Sequence, residues 1–222
     1  PDPVVNQDDY FIIRHTGGTT GPSKGVAYTH KTWLDAGRDW FFAFPPVQKG
    51  DVCQHAGPIS HGSGYFFTPI WLCGGVNLLV KTFEPSEVID TMEREQVAYG
   101  FLVPTMLNAI AREETATSRD WSHLKVLQVG GSPIADDTAL LARQVFGDVL
   151  FQGYGQTEAV PITMMGPAEW FSSVEGSNPL RSAGRPLPFG DLAILDPETQ
   201  QELAIGDEGE IAIRCDGQML GF

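Results

Sequence analysis

Thr16-Gly17-Gly18-Thr19-Thr20-Gly21-Pro22-Ser23-Lys24-Gly25 follows directly on an apolar run, Phe11-Ile12-Ile13. Three threonines, four glycines and a single lysine in ten residues suit the holding of a polyphosphate. Glycine lets the backbone come close and turn so that successive N–H groups converge on an anion. The hydroxyls add donors, and Lys24 adds a positive point charge. A glycine-rich turn after a strand has much the same composition, and the spacing fits neither familiar nucleotide loop. A P-loop needs Gly-Lys-Ser/Thr, whereas Ser23 precedes Lys24 and Gly25 follows it; of G-x-G-x-x-G, Gly18 and Gly21 supply only the second half. From this stretch alone, turn and phosphate loop both stay open.

Around it, strand-like and helix-like runs alternate. Tyr10–Arg14 reads as a buried strand, Val26–Thr29 as an extended segment, and His30–Phe44 as a helix stopped by Pro45-Pro46. Asp51–Ala56, Val76–Val80, Tyr99–Val103, Lys125–Val129 and Val149–Gln152 read as strands. Between them, Tyr65–Leu72, Glu84–Gln96, Pro104–Arg112 and Ala135–Phe146 read as helices, the last stopped by Gly147. Such alternation predicts βαβ units, hence an α/β fold with a mainly parallel sheet and flanking helices over residues 1–166. From 167 to 222 proline and glycine become frequent. Asp191–Leu195 and Glu210–Arg214 are short alternating strands, joined through the hairpin-type Gly206-Asp207-Glu208-Gly209. This part reads as a connecting segment and the beginning of a small β-barrel-like subdomain.

The strand Val149–Gln152 runs into Gly153-Tyr154-Gly155-Gln156-Thr157-Glu158. Ligands of open α/β sheets sit at the carboxyl ends of strands, so a site belongs here. Gly153 and Gly155 permit close approach, Tyr154 offers a flat face to a base, and Thr157 offers a phosphate donor. Glu158 is a hard oxygen ligand of the kind Mg²⁺ takes. A strand-terminating turn around a core tyrosine accounts for the same six residues.

Taken together, the two stretches resemble the adenylate-forming superfamily of acyl-CoA synthetases and their relatives. That family reads roughly Thr-Ser-Gly-Thr-Thr-Gly-x-Pro-Lys-Gly and Tyr-Gly-x-Thr-Glu; this chain has Gly17 in the serine place and Pro22-Ser23 in swapped order. Val129-Gly130-Gly131-Ser132-Pro133 resembles the family's Gly-Gly-Ala/Ser-Pro turn beside adenine and acyl pocket, and Ser182-Ala183-Gly184-Arg185-Pro186 its Gly-x-Pro stretch. Gly209–Arg214 and Met219–Phe222 resemble its Gly-Glu-Leu strand and following Gly-Tyr, with Cys215 in place of a usual glycine. The chain is similar to an internal part of the family's large N-terminal domain. The family's ribose-binding aspartate, its hinge and its lysine-bearing C-terminal domain have no counterpart among these 222 residues.

The resemblance implies an ATP-dependent, AMP-forming acid–CoA ligase of the acyl-CoA ligase branch, with ATP, Mg²⁺ and CoA. It implies that Thr16, Gly17, Gly18, Thr19, Thr20, Gly21 and Lys24 hold the β- and γ-phosphates. Gly131, Ser132 and Pro133 with Gly153, Tyr154, Gly155 and Gln156 would take the adenylate, Thr157 the α-phosphate and Glu158 the metal. Lys24, Thr157 and Glu158 would carry the catalysis. His61, in Pro58-Ile59-Ser60-His61-Gly62-Ser63-Gly64, stands where that branch tends to have Pro-x-x-His-x-x-Gly, beside the acyl and pantetheine tunnels. His61, Gly62, Tyr65, Val103, Pro104 and Gly130 are therefore expected in the acyl/CoA tunnel. Amino-acid-activating relatives keep an aspartate in this region, and Gly57–Tyr65 contains no acidic residue. A fatty or other apolar carboxylic acid is the expected substrate. Luciferase-like and carrier-protein-loading relatives share the motifs, and a nucleotide-binding module without activity is the alternative from another class.

Composition agrees with a soluble globular chain: 42% hydrophobic and 19% charged residues, with a formal net charge of −14. That charge argues against nucleic acid and anionic membranes as partners. It makes Lys24 and Arg185 conspicuous as local sources of positive potential. Cys53, Cys73 and Cys215 have neither disulfide nor zinc spacing, and the longest apolar run, Ile70–Val80, is too short to cross a bilayer. With no signal pattern at Pro1, a cytoplasmic location is expected; an oligomer stays open.

Overall fold

The computed structural model describes residues 4–16 and 22–222. Its centre is a sheet of seven strands among the described residues, in spatial order β4-β3-β5-β6-β7-β8-β9. These are β3 (Val52–His55), β4 (Val76–Leu79), β5 (Val97–Leu102), β6 (Val126–Val129), β7 (Leu150–Gln156), β8 (Ala159–Met165) and β9 (Arg185–Pro186). The pairs from β4 through β7 are parallel, in registers such as Tyr99↔Val126 and Leu127↔Leu150. Across β7–β8 and β8–β9 the pairing turns antiparallel. The fold is α/β with a mainly parallel sheet and flanking helices.

Alternate strand residues feed two cores, as the two-residue strand period requires. On one face lie α3 (Pro85–Arg94), α4 (Pro104–Ala111) and α5 (Asp136–Phe146). Ile89, Leu107, Ile110 and Ala142 pack there on Val97, Leu127 and Leu150. On the other face α1 (His30–Phe42) and α2 (Phe67–Leu72) bring Trp33, Trp40 and Ile70 against Tyr99, Val126 and Phe151. Local sequence sets the helix ends. Thr29 and Thr32 form a reciprocal capping box at the start of α1. Proline occupies the first turn of α3 and α4, where no donor is missed. Gly147, at φ +83°, ends α5.

β1 (Tyr10–His15) and β2 (Gly25–Thr29) form a separate antiparallel hairpin rather than joining the large sheet. β1 is therefore not the buried strand its composition predicts. Tyr10, Phe11 and Ile13 are exposed, and the residue that goes inside is Arg14. The expected helix Tyr65–Leu72 divides into a 3₁₀ turn over Gly62–Tyr65 and the shorter α2. β7 runs on to Gln156, so most of the expected turn at 153–158 is strand, and the sequence reading did not anticipate β8. Beyond α6 (Pro167–Trp170), β10 (Gly190–Leu195) and β11 (Glu210–Cys215) pair as a two-stranded antiparallel sheet. Residues 218–221 return to the first hairpin: Leu220 N–H donates to Ala27 O at 2.8 Å, and Ala27 N–H to Gly221 O at 3.0 Å. No helix among the described residues is long and apolar enough to cross a membrane.

Candidate active site

Two cavities open at the carboxyl ends of β6 and β7. The larger, about 820 Å³, is lined by Gly131–Asp137, Gln152–Gly155 and Leu180–Ala183. The smaller, about 370 Å³, is lined by Arg14, Trp40, His61, Gly62, Tyr65, Phe101, Gly130, Thr157 and Val160, among others. Gly131, Gly153 and Gly155 line both, so the two share a wall of bare backbone. Packing accounts for these glycines. A Cβ on Gly130 would lie 2.8 Å from Gly153 O, and one on Gly155 would lie 2.8 Å from Val160. Gly131 also has φ +88°, a conformation costly for any side chain.

The structure brings together most of the residues expected from sequence. Gly131, Ser132, Pro133, Gly153, Tyr154 and Gly155 border the larger cavity. Gln156 and Thr157 border the smaller one with His61, Gly62, Tyr65 and Gly130. Gln156 donates to the Tyr154 hydroxyl at 3.2 Å. Thr157 is held by its backbone, its carbonyl accepting from the Tyr28 hydroxyl at 2.7 Å. Burial pushes the Tyr28 pKa upward, which keeps that hydroxyl a donor. Glu158 sits in the turn between β7 and β8; its carbonyl accepts from Met219 N–H at 2.8 Å. Its carboxylate makes no hydrogen bond or ion pair among the described residues.

Gly17, Gly18, Thr19, Thr20 and Gly21 lie outside the described residues. The neck of that segment is closed: Thr16 N–H donates to Lys24 O at 3.0 Å, and the Thr16 hydroxyl accepts from Lys24 N–H at 3.2 Å. Lys24 Nζ lies 4.6 Å from the Phe222 ring centre. Neither Thr16 nor Lys24 is among the described residues that line the two cavities. Val103 and Pro104, expected in the acyl tunnel, line neither. Pro104 is buried at the start of α4, where helix geometry turns it into the core. Arg185 pairs with Glu169 at the surface, at 3.1 Å.

Sequence reasoning missed Arg14, Trp40, Phe101 and Val160 in the smaller cavity, and Arg181 in the larger. Arg14 had one available signal. The strand period puts it on the face of Ile12, which turns inward, while Phe11 and Ile13 turn out. Its Nε and Nη2 donate to Ser60 O at 3.0 and 2.7 Å, and its guanidinium carbon lies 4.1 Å from the Tyr65 ring centre. Burial pulls the Arg14 pKa down, opposed by Tyr65; the Tyr65 hydroxyl is pushed up by burial, opposed by Arg14. Arginine nevertheless stays charged in proteins.

The sequence pattern of the AMP-binding enzymes matches residues 1–222. The chain belongs to the AMP-binding enzyme family. This AMP-binding chain is 32% identical over 231 residues to 4-coumarate–CoA ligase 1 of Oryza sativa subsp. japonica, covering 99% of the chain and 40% of that protein. It is also 32% identical over 222 residues to the medium/long-chain-fatty-acid–CoA ligase FadD8 of Mycobacterium tuberculosis (strain ATCC 25618 / H37Rv), covering 96% and 37%. The amide bond synthetase McbA from Marinactinospora thermotolerans superposes with a TM-score of 0.84 at 28% identity, over 95% of the chain and 41% of that structure. The AMP-binding chain thus spans well under half the length of these relatives.

Proposed function

We propose that the protein containing this chain is an AMP-forming acid–CoA ligase. The observation that carries the reading is the shared glycine wall: a nucleotide in the larger cavity and an acid in the smaller one meet across the backbone of β7. A carboxylate oxygen of the acid attacks the α-phosphorus of ATP. The new acyl–O–P bond replaces the bond to pyrophosphate, which leaves. The thiol of CoA then attacks the acyl carbon, and AMP departs with the bonding electrons. Relatives act on aromatic and on aliphatic acids by name, so the proposed acid is described by its cavity alone. Its apolar part lies against Phe101 and Val160.

In this reading the chain positions groups and neutralises charge, which is where such reactions gain most of their rate. Tyr154 and Gly131–Pro133 flank the adenine. The Thr157 side chain donates to the α-phosphate while its backbone is fixed by Tyr28. Thr16, the segment 17–21 and Lys24 take the β- and γ-phosphates. The Glu158 turn fits Mg²⁺, an ion that keeps several waters and needs one or two carboxylates besides substrate phosphates. When bound, the ion would neutralise phosphate oxygens. No group of three or more His, Cys, Asp or Glu side chains among the described residues forms an all-protein metal cage.

The test divides the reaction in two. In the protein as its gene encodes it, Lys24→Ala is expected to slow acid-dependent pyrophosphate release by about 10²-fold or more. Transfer of preformed acyl-AMP to CoA should change far less. Equal slowing of both half-reactions would remove the phosphate role of Lys24, and absence of acyl-CoA with every acid tried would remove the ligase reading.

A further inference from the structure

The first hairpin turns one polar residue inward from each strand, and each holds backbone on a different side of the site. Arg14 of β1 donates from Nε and Nη2 to Ser60 O at 3.0 and 2.7 Å. Tyr28 of β2 donates to Thr157 O at 2.7 Å. Both residues are buried, and their strands pair in register, Ile12 opposite Tyr28 and Arg14 opposite Val26. One ring packs on both: Trp33 meets Tyr28 edge-on at 5.6 Å between ring centres and lies 5.4 Å from the Arg14 guanidinium carbon. Tyr65, stacked on Trp33 at 5.0 Å, covers the same guanidinium at 4.1 Å.

Docking a hairpin on a helix layer does not require this arrangement. Apolar side chains would do it without burying a charge, and no carboxylate among the described residues pairs with Arg14. A hydrogen bond from a charged donor is roughly twice as strong as a neutral one, so Arg14 anchors its carbonyl firmly. That carbonyl belongs to the peptide leading into His61. Ser60 O also lies 3.0 Å from His61 Nδ1; a carbonyl only accepts, so the neutral imidazole donates from Nδ1 and keeps Nε2 as an acceptor. His61 N–H goes to Pro58 O at 3.0 Å. Arg14 thereby fixes the peptide and the ring of a residue that lines the smaller cavity. Across the site, the Tyr28 hydroxyl holds the carbonyl of Thr157 and Met219 N–H holds that of Glu158.

We propose that the first hairpin is the positioning element of the adenylation step, with Arg14 aligning the acid side through Ser60 and Tyr28 aligning Thr157 with the α-phosphate. The proposal rests on the ligase reading and adds two positioning residues to it, each acting through the backbone it holds. The same two strands flank the glycine-rich segment at the Thr16–Lys24 neck. A single frame therefore sets acid, α-phosphate and leaving pyrophosphate relative to one another. Displacing a reacting atom by about 1 Å costs on the order of a hundredfold in rate.

The experiment measures acid-dependent pyrophosphate release, alongside Tm, in the gene-encoded protein carrying Tyr28→Phe, Arg14→Met or Arg14→Lys. Tyr28→Phe and Arg14→Met are each expected to lower kcat by about tenfold to a hundredfold, with the KM for ATP little changed. Arg14→Lys keeps a charged donor and should recover part of the loss. Thr157→Val removes the hydroxyl that Tyr28 aligns, so adding Tyr28→Phe to it should slow the reaction little further. Losses that multiply in full would make Tyr28 merely structural and overturn the proposal. Normal kcat in Tyr28→Phe or Arg14→Met does the same, as does a folded Arg14→Lys no faster than Arg14→Met. If either Tyr28→Phe or Arg14→Met does not fold, the kcat of the other decides; if neither folds, normal kcat in Thr157→Val or Arg14→Lys equal to the parent in KM but a hundredfold slower counts against it. If no acid turns over, the ligase reading fails by itself, and calorimetric binding of AMP then decides. Tyr28→Phe should weaken that binding severalfold in the parent and not in Thr157→Val, whereas unchanged binding refutes the alignment of Thr157.

Discussion

Gly153 has no room for a methyl group. A Cβ there would lie 2.1 Å from Nε2 of Gln128, a side chain with no exposed surface, and 3.4 Å from Trp40. The residue thus serves packing as well as any ligand that approaches β7. Gly153→Ala is expected to destabilise the fold by about 1–3 kcal/mol, the usual cost of overfilling a core. Adding Gln128→Ala vacates the contested space, so the double variant should lose less than the two single losses combined. Urea denaturation of the four proteins reads this directly. Strict additivity would mean that the two residues do not contest the space and that Gly153 is kept for the ligand alone. Glycines at 62 and 64 differ in the same physical sense. A Cβ on Gly64 would stand 1.8 Å from the Ile59 carbonyl oxygen, which backbone cannot yield, whereas one on Gly62 meets only the Phe101 ring, at 2.5 Å.

Among the elements, β3 ends in a histidine that ties three segments together. His55 is 1% exposed, with Nε2 2.7 Å from Asn77 Oδ1 on β4 and Nδ1 2.8 Å from the Ser63 hydroxyl in the 3₁₀ turn. Asn77 spends its amide N–H on Phe67 O at 3.0 Å, so its oxygen accepts and His55 carries the proton on Nε2. Burial holds the pKa of His55 below the ordinary 6.5. Below that value the unfolded chain binds a proton that the folded one refuses, so stability falls as pH falls from 6.5 toward the depressed folded value. His55→Gln should show a flatter melting profile over that window than the parent, by thermal denaturation at stepped pH. A parent profile as flat as the variant's would mean that His55 does not titrate differently on folding. The helices and the parallel strands were legible in sequence because proline, glycine and apolar spacing mark them. β8 was not. Ala159–Met165 is buried throughout and follows β7 with only Thr157 and Glu158 between, so it lacks both alternation and a conventional turn signal.

At the scale of the molecule, the proposed function divides between two cavities, and that division can be measured. Gly62→Ala pushes the Phe101 ring, a wall of the smaller cavity, and is expected to shift acid preference toward smaller acids by about 1–3 kcal/mol in kcat/KM. The KM for ATP should hardly move. Gly64→Ala should instead lower Tm without changing selectivity among the molecules that remain folded. Parallel losses over all acids in Gly62→Ala would deprive the segment of any selective role. The glycine strings and His61 entered the expected site through motifs shared with the family, since residue type alone left turn and site both open. Arg14 could not be weighed, since its meaning comes from Ser60 and Tyr65, some fifty residues away and brought near only by the fold. The clasp of residues 218–221 on Ala27 and Glu158 joins partners up to roughly two hundred residues apart, among the slowest contacts for a chain to find. On the ribosome, the first hairpin and the β7–β8 turn therefore emerge long before residues 218–221, which bond to both. The nascent protein can complete its parallel sheet before that clasp forms, so the bonds of residues 218–221 to Ala27 and Glu158 are among the last that synthesis permits.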